Sequence, residues 1–250
     1  MPDILIVATQ KNLSPFVKFA RVVYVFGGAC YKSKAKYQCG AGSSRESHHF
    51  SSVYRSLVPY NALCASNMAD CCSEDELLEI ISRLKTSGIN FLAIDFDQTL
   101  ICDHTAGKWE GTAEGLAHKT RPFFRYFIPL ALHNGIFVAI VTLSPQVKLI
   151  IDMLRIVFGP YAEYIPVRGE DSSWGYQGHG CCKGKQRHIA SAAEELIVAN
   201  APNCIITRAT TLLVDDDHSN IFTALEAKTR AILCDPANLR KMVDDLLTIE

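Results

Sequence analysis

The chain has 250 residues, of which 48% are hydrophobic and 20% charged, so it can bury one good-sized core as a globular protein does. No apolar run reaches the roughly 18 residues that a membrane-spanning helix needs, and we therefore expect no membrane partner. Ten irregularly spaced cysteines, at this length and without a clear secretion signal, indicate reduced thiols rather than a disulfide framework.

Charge is distributed unevenly along the chain. Residues 1–60 carry eight Lys or Arg and two acidic residues, whereas residues 61–250 carry 17 basic and 24 acidic residues. A basic, acid-poor N-terminus is typical both of organelle-targeting segments and of extensions with scattered charge. No dense basic run or aromatic stacking motif is present, so we expect no nucleic-acid partner. The expected location is cytoplasmic, with organelle targeting as the alternative.

The sequence of residues 1–72 predicts a poorly ordered extension. Their pattern is irregular, and AGSSRESHHFSS (41–52) has the composition of a disordered segment. ILIVA (4–8) has the composition of a strand, but no neighbouring segment completes a folding unit with it. We therefore expect the folded domain to begin near residue 73.

From residue 73 onward, helical and strand patterns alternate. Ser73 and Glu76 make a capping box for a helix that extends to about Lys85. Five segments have the length and apolar content of buried strands: 91–94, 136–141, 164–167, 211–214 and 230–234. The other helices are predicted at 121–134, at 144–158 with Ser144 as N-cap and Pro145 as first residue, at 185–200, at 219–227, and from Asp235 and Pro236 to 247.

Strands that are apolar from end to end and alternate with helices indicate a parallel sheet covered on both faces. We therefore predict an α/β fold with a doubly wound parallel sheet for residues 73–250. Ligands of such sheets bind beyond the carboxyl ends of the strands. A Gly-rich loop at 168–185 and a short flap at about 102–120 are predicted there, and neither is long enough to form a large cap domain.

Polar residues collect at the predicted strand ends. Carboxylates and a hydroxyl follow the first, second and fourth strands: Asp95 and Asp97, Thr142, and Asp215 and Asp216. A lysine, Lys183 or Lys185, begins the helix before the fourth strand. One crevice should therefore collect carboxylates, a hydroxyl and an ammonium group.

This combination of side chains indicates phosphoryl chemistry. Clustered carboxylates repel one another, and a divalent cation removes that penalty. Oxygen ligands suit a hard ion, and Mg²⁺ is the usual one because it retains waters and accepts a phosphate oxygen. One carboxylate can then attack phosphorus, a second can act as acid and base, and the hydroxyl and the lysine can bind phosphoryl oxygens.

In their order and spacing, these motifs resemble those of the haloacid dehalogenase-like phosphohydrolase superfamily, over about 150 residues. IDFDQTL (94–100) matches its DxDxT motif, IFVAIVT (136–142) its strand ending in Ser or Thr, and TLLVDDD (211–217) its strand ending in paired acids. Lys185 fits the superfamily lysine best, and Lys183 is the alternative. The first 70 residues match nothing in this pattern.

The resemblance implies catalytic and substrate-binding roles. Asp95 is implied as the nucleophile and Asp97 as the general acid and base. Thr142 and Lys185 are implied to bind the phosphoryl group and to assist its transfer, and Thr99 is expected to contribute to substrate binding.

The resemblance also implies a set of Mg²⁺ ligands. Asp95 would bind the ion through its carboxylate and Asp97 through its backbone carbonyl. Of the acids that follow the fourth strand, Asp216 is implied as the direct ligand and Asp215 as its support, with the reverse assignment left open.

The resulting hypothesis is Mg²⁺-dependent hydrolysis of a phosphomonoester through an aspartyl-phosphate on Asp95. Transfer of the phosphoryl group to an acceptor other than water is one alternative, and a phosphate-binding or scaffold protein with little turnover is another. An open crevice without a cap suits a bulky substrate, such as a phosphoprotein, or a partner that completes the site. The expected partner is a phosphorylated substrate, either a phosphoprotein or a small phosphomonoester, and an oligomer is possible. Trp109 and Trp174 either line its mouth or pack their own loops.

Overall fold

A computed structural model of the chain describes residues 72–178 and 183–250 and, for the backbone alone, three segments nearer the N-terminus. These segments are strands of an antiparallel sheet, in which β2 pairs with both neighbours: β1 (Ile6–Asn12), β2 (Lys18–Phe26) and β3 (Ala29–Tyr37). The strand suggested at 4–8 overlaps the first of them. Segment 41–52 lies outside the described residues, and the domain boundary near residue 73 stays a prediction.

From residue 72 onward the chain forms an α/β unit with a parallel sheet. Its strands are β4 (Phe91–Ile94), β5 (Phe137–Val141), β6 (Val167–Arg168), β7 (Thr211–Asp215) and β8 (Arg230–Leu233). Its α-helices are α1 (Glu74–Thr86), α2 (Ala113–Ala117), α3 (Pro122–His133), α4 (Val147–Phe158), α5 (Gln186–Ala199), α6 (His218–Glu226) and α7 (Leu239–Leu247).

The strand order in this sheet is β6-β5-β4-β7-β8, and all four pairings are parallel. The chain therefore moves outward from β4 in one direction and then returns to build the other half from β7. Such a reversal opens a crevice beyond the carboxyl ends of the two central strands. The order is consistent with a Rossmann-like fold and confirms the predicted α/β class with a parallel sheet flanked by helices.

Helices cover both faces of the sheet. Leu92 and Ile94 of β4 belong to a core shared with α1, α3, α4 and α7, whereas Phe91 and Ala93 belong to a second core shared with α5 and α6. All four residues of β4 are therefore buried, although neighbouring side chains point to opposite faces. This arrangement explains why the strands are apolar from end to end.

The predicted start of α4 was wrong. The helix begins at Val147 and not at Pro145, with Gln146 at the N-cap position. Ser144 instead lies in a loop contact, where its carbonyl accepts a hydrogen bond from the backbone N–H of Glu170 at 3.1 Å. The Ser144 hydroxyl accepts from the backbone N–H of Gln146 at 3.2 Å, which makes a turn ahead of the helix, whereas the predicted end of the helix at Gly159 is confirmed.

Two further boundaries differ from the prediction. The third strand of the parallel sheet was predicted at 164–167, but residues 159–164 form a 3-10 turn and only Val167 and Arg168 pair with β5. The last helix begins at Leu239 and not at Asp235. The Asp235 side chain accepts a hydrogen bond from the N–H of Ala237 at 2.9 Å, which makes a turn ahead of the helix.

None of the helices in the described ranges combines the length and the hydropathy that crossing a bilayer requires.

Candidate active site

Asp95 and Asp215 lie side by side at the carboxyl ends of the central strands. Ile94 is opposite Val214 in the register, and the backbone N–H of Asp95 donates to the Val214 carbonyl at 2.9 Å. Because side chains alternate along a strand, both aspartates point toward the face covered by α5 and α6. Asp95 is 4% exposed and Asp215 is fully buried.

Lys185 immediately precedes α5 and extends its side chain between these two aspartates. Its buried ammonium donates to Oδ1 of Asp95 and, at 2.7 Å, to Oδ2 of Asp215. The turn that places it contains Gly184 at φ 52°, a left-handed conformation that favours glycine. Lys183, the alternative suggested by the sequence, is exposed. The contact with the acids therefore belongs to Lys185.

Asp216 adds a third carboxylate. One oxygen from each of Asp95, Asp215 and Asp216 lies within 4.8 Å of the other two, an arrangement that could hold a metal ion. Asp216 is only half-buried, and its Oδ1 receives a long contact of 3.5 Å from the Thr99 hydroxyl. Its carboxylate is therefore accessible to an ion.

Asp215 is occupied by protein donors on both oxygens. Oδ2 accepts from Lys185, while Oδ1 accepts from the backbone N–H of Asp217 at 2.9 Å and from Nδ2 of Asn220 at 3.2 Å. This favours Asp216 as the direct metal ligand and Asp215 as the residue that holds the lysine.

The cluster has more negative than positive charge. Its three carboxylates and one ammonium carry a net charge of −2 when all are ionised. Burial raises the pKa of Asp95 well above its usual value; Lys185 opposes that shift and Asp215 adds to it. Burial and repulsion from Asp215 likewise raise the pKa of Asp216. A hard divalent cation with oxygen ligands such as Mg²⁺ fits this donor set and would balance the charge.

The pKa of Lys185 is raised. Burial alone would lower it, but the attraction and hydrogen bonds of Asp95 and Asp215 outweigh that effect. The lysine therefore remains an ammonium at neutral pH and keeps its positive charge for a ligand.

Thr142 lies at the same edge of the sheet, one residue beyond β5. Ile140 pairs with Ile94, so Thr142 is one residue past the level of Asp95 on the neighbouring strand. Its Oγ1 accepts from the backbone N–H of Ser144 at 3.1 Å, which leaves the hydroxyl proton for another acceptor. In the part of the chain that the structure describes, no hydrogen bond joins Thr142 to the three carboxylates.

Asp97 is held by the flap. It lies in an irregular turn, Phe96–Leu100, and its Oδ1 accepts a hydrogen bond from the backbone N–H of Thr105 at 2.8 Å. Its carboxylate is not a member of the three-acid cluster. Asp97 is half-buried and follows Asp95 by two residues, so a further carboxylate that could act as an acid or base follows this member of the cluster along the chain.

Thr99 is buried beside Asp216. Its hydroxyl is fully buried and faces Asp216 and the thiol of Cys234. Burial raises the pKa of Cys234 to about 12, so this thiol is neutral. Thr99 and Cys234 therefore lie beside Asp216. Contact between Thr99 and a substrate stays a prediction.

Sequence reasoning did not find Arg121 and Gln146. Arg121 is buried and donates from Nη2 to the carbonyl of Gln98 at 2.9 Å, which supports the left-handed residue next to Asp97. Gln146 exchanges two hydrogen bonds with the backbone of Trp109, at 2.7 and 2.9 Å, and ties the flap to α4. Both residues act across 23 or more positions of sequence, so no local pattern marks them.

Comparison of the chain with protein-family models, with curated proteins and with solved structures found no match. The function of the site must therefore follow from its own residues. Of the residues selected from the sequence, four are in mutual contact or proximity: Asp95, Lys185, Asp215 and Asp216. Thr142 and Asp97 flank them at the same edge of the sheet.

Proposed function

We propose that the chain is a Mg²⁺-dependent phosphomonoester hydrolase of the haloacid dehalogenase-like type, acting through an aspartyl-phosphate on Asp95. The observation that carries this proposal is the buried ammonium of Lys185 between Asp95 and Asp215, at the reversal point of the sheet. A lysine and carboxylates so deeply buried cost free energy on desolvation, and active sites tolerate such a cost.

The residues present suit Mg²⁺. Asp95 and Asp216 would hold it with the backbone carbonyl of Asp97, the last of these as the DxDxT motif implies. When bound, the ion supplies positive charge to the carboxylates and to a phosphoryl oxygen.

In the first step, a carboxylate oxygen of Asp95 attacks phosphorus and the bond from phosphorus to the ester oxygen breaks. Asp97 gives its proton to the departing alcohol oxygen. Lys185 offsets the negative charge on the phosphoryl oxygens, and the Thr142 hydroxyl donates to one of them.

In the second step, the Asp97 carboxylate takes a proton from water while the water oxygen attacks the phosphorus of the aspartyl-phosphate. The bond from phosphorus to Asp95 breaks, which releases inorganic phosphate and restores the aspartate. The hydrogen bond from the N–H of Thr105 keeps Asp97 in one place through both steps. The flap thus supports this role for Asp97.

Replacement of the nucleophile tests the proposal directly. Asp95→Asn should lower kcat for an aryl phosphate in the presence of Mg²⁺ by roughly a thousandfold or more, as loss of a nucleophile does in other hydrolases. The control is Asp245→Asn, at a surface ion pair with Lys241, which should retain the wild-type rate. An Asp95→Asn variant as fast as the wild type would overturn the assignment.

Turnover in ¹⁸O-labelled water separates hydrolysis from transfer to another acceptor. Hydrolysis places one labelled oxygen in each inorganic phosphate released. Consumption of the ester without release of labelled phosphate would contradict hydrolysis and would indicate transfer of the phosphoryl group to another acceptor.

A further inference from the structure

A cavity lies beside the proposed active site. The loop after β6 and the first turn of α5 enclose about 220 Å³, lined by residues 169–171 and 174–176 of the loop and by Arg187 of the helix. Pockets that enclose a drug-sized ligand measure roughly 300–1,000 Å³. This cavity therefore suits a group of about one ring system.

Trp174 forms a fixed wall of the cavity. Its Nε1 donates to the carbonyl of Gly169 at 2.7 Å, and its ring centroid lies 4.7 Å from that of His188. The guanidinium carbons of Arg168 and Arg187 are 5.9 and 6.0 Å from the indole centroid, within the range of cation–π attraction. An aromatic wall that is held from several sides is pre-organised for a flat ligand.

His188 lies behind this wall as an uncharged ring. It is fully buried, and burial lowers its pKa to about 4 against the opposing effect of Glu170. Its Nε2 is 3.3 Å from Oε1 of Glu170, yet neither ring nitrogen has a hydrogen bond within the described ranges. The Trp174 wall is therefore backed by a neutral aromatic ring that does not itself line the cavity.

Two contacts and the start of one helix connect the cavity to the phosphoryl site. The N–H of Thr142 donates to the Arg168 carbonyl at 2.8 Å, and the loops after β5 and β6 meet at Gly169. A Cβ on this glycine would lie 2.3 Å from the Ser144 carbonyl oxygen, so the two loops are in backbone contact. On the other side, Arg187 follows Lys185 by two residues at the start of α5.

We propose that this cavity is the subsite for the leaving group of the phosphate ester, and that it takes a flat aromatic or heteroaromatic ring joined to the ester oxygen by a short link. The inference rests on the proposed function. Trp174 and Tyr176 give the lining two aromatic side chains, and Glu170, Asp171 and Arg187 give it charged groups that could meet substituents of the ring.

The test compares benzyl phosphate with cyclohexylmethyl phosphate. Both release a primary alcohol with a six-membered ring, so they differ mainly in whether the ring is flat and aromatic. Trp174→Leu should lower the ratio of their kcat/KM values, benzyl over cyclohexylmethyl, by about three- to tenfold. Trp174→Phe, which keeps a flat ring, should restore most of that ratio. An unchanged ratio in Trp174→Leu would overturn the subsite.

A binding measurement separates this inference from the proposed function. In a Trp109→Phe chain, Trp174 is the only tryptophan, and its emission can be followed without divalent ions. Saturable quenching by benzyl phosphate at concentrations at which cyclohexylmethyl phosphate has no effect would support the ring site. Equal responses to both esters would overturn it and leave hydrolysis untouched. Ring-selective binding in a chain that hydrolyses no ester would keep the ring site and overturn the proposed function.

Discussion

Removal of Lys185 should strongly lower the stability of the folded chain, because both of its ion-pair partners are buried carboxylates. Removing one member of a buried ion pair typically costs about 3–5 kcal/mol, whereas a change at an exposed position stays within about 0.5 kcal/mol. We expect Lys185→Met to lower the free energy of unfolding by about 3–5 kcal/mol at pH 7. Lys183→Met is the matched control, and urea denaturation without divalent ions measures both.

The loss in Lys185→Met should become smaller as the pH falls. The pKa of Asp95 is raised in the folded chain by burial, and the lysine is the group that opposes this shift. Without the lysine the pKa of Asp95 lies higher still, so the folded variant takes up a proton at a higher pH than the folded wild type, and its deficit in stability shrinks as the pH falls through that range. A deficit that stays constant or grows from pH 8 to pH 5 would contradict this account.

At the scale of single residues, the acidic cluster could be predicted from the sequence, because each aspartate directly follows an apolar strand. Gln146 could not, since its partner Trp109 is 37 positions away and the contact exists only when the flap folds against α4. Thr99 fits the sequence motif, but its full burial depends on the packing of the loops around it.

The N-terminal cap of α1 makes a testable contribution at the scale of one helix. The hydroxyl of Ser73 accepts from the N–H of Glu76 at 3.2 Å, and the Glu76 carboxylate accepts from the N–H of Ser73 at 2.8 Å. Ser73→Ala should lower the free energy of unfolding by about 0.5–2 kcal/mol. Ser82→Ala, at an exposed position within the same helix, should leave it unchanged or raise it by a few tenths. Equal losses in the two variants in thermal unfolding would mean that the cap does not fix the helix start.

Helices and strands were predictable where burial or local capping decides them. The capping box of α1, the buried strand β4 and the stop of α4 at Gly159 all follow from local chemistry. The start of α4 was not predictable, because the Ser144 hydroxyl makes a turn with Gln146 ahead of the helix. Local capping signals indicate that a helix begins nearby, and such a turn moves the boundary by one or two residues.

For the whole molecule, the acidic cluster should link folding to a divalent cation. An ion that binds the folded chain alone stabilises it by about 2.7 kcal/mol at one hundred times its dissociation constant. MgCl2 should therefore raise the unfolding midpoint of the wild-type chain above its value in NaCl of equal ionic strength. Asp216→Asn should lose most of this difference, and Asp245→Asn should retain it. An equal response to both salts in the wild type would contradict a specific metal site.

The contact at Gly169 holds the loops after β5 and β6 at a fixed separation. A side chain at position 169 would meet the Ser144 carbonyl oxygen and the Val147 side chain, so glycine keeps the two loops close together at this junction. Exchanges within the loop can alter which ring the pocket accepts. If the proposed subsite holds the ring of the ester, such exchanges leave the separation of the two loops unchanged, and we expect an ester with a longer spacer between ring and phosphate to fit poorly.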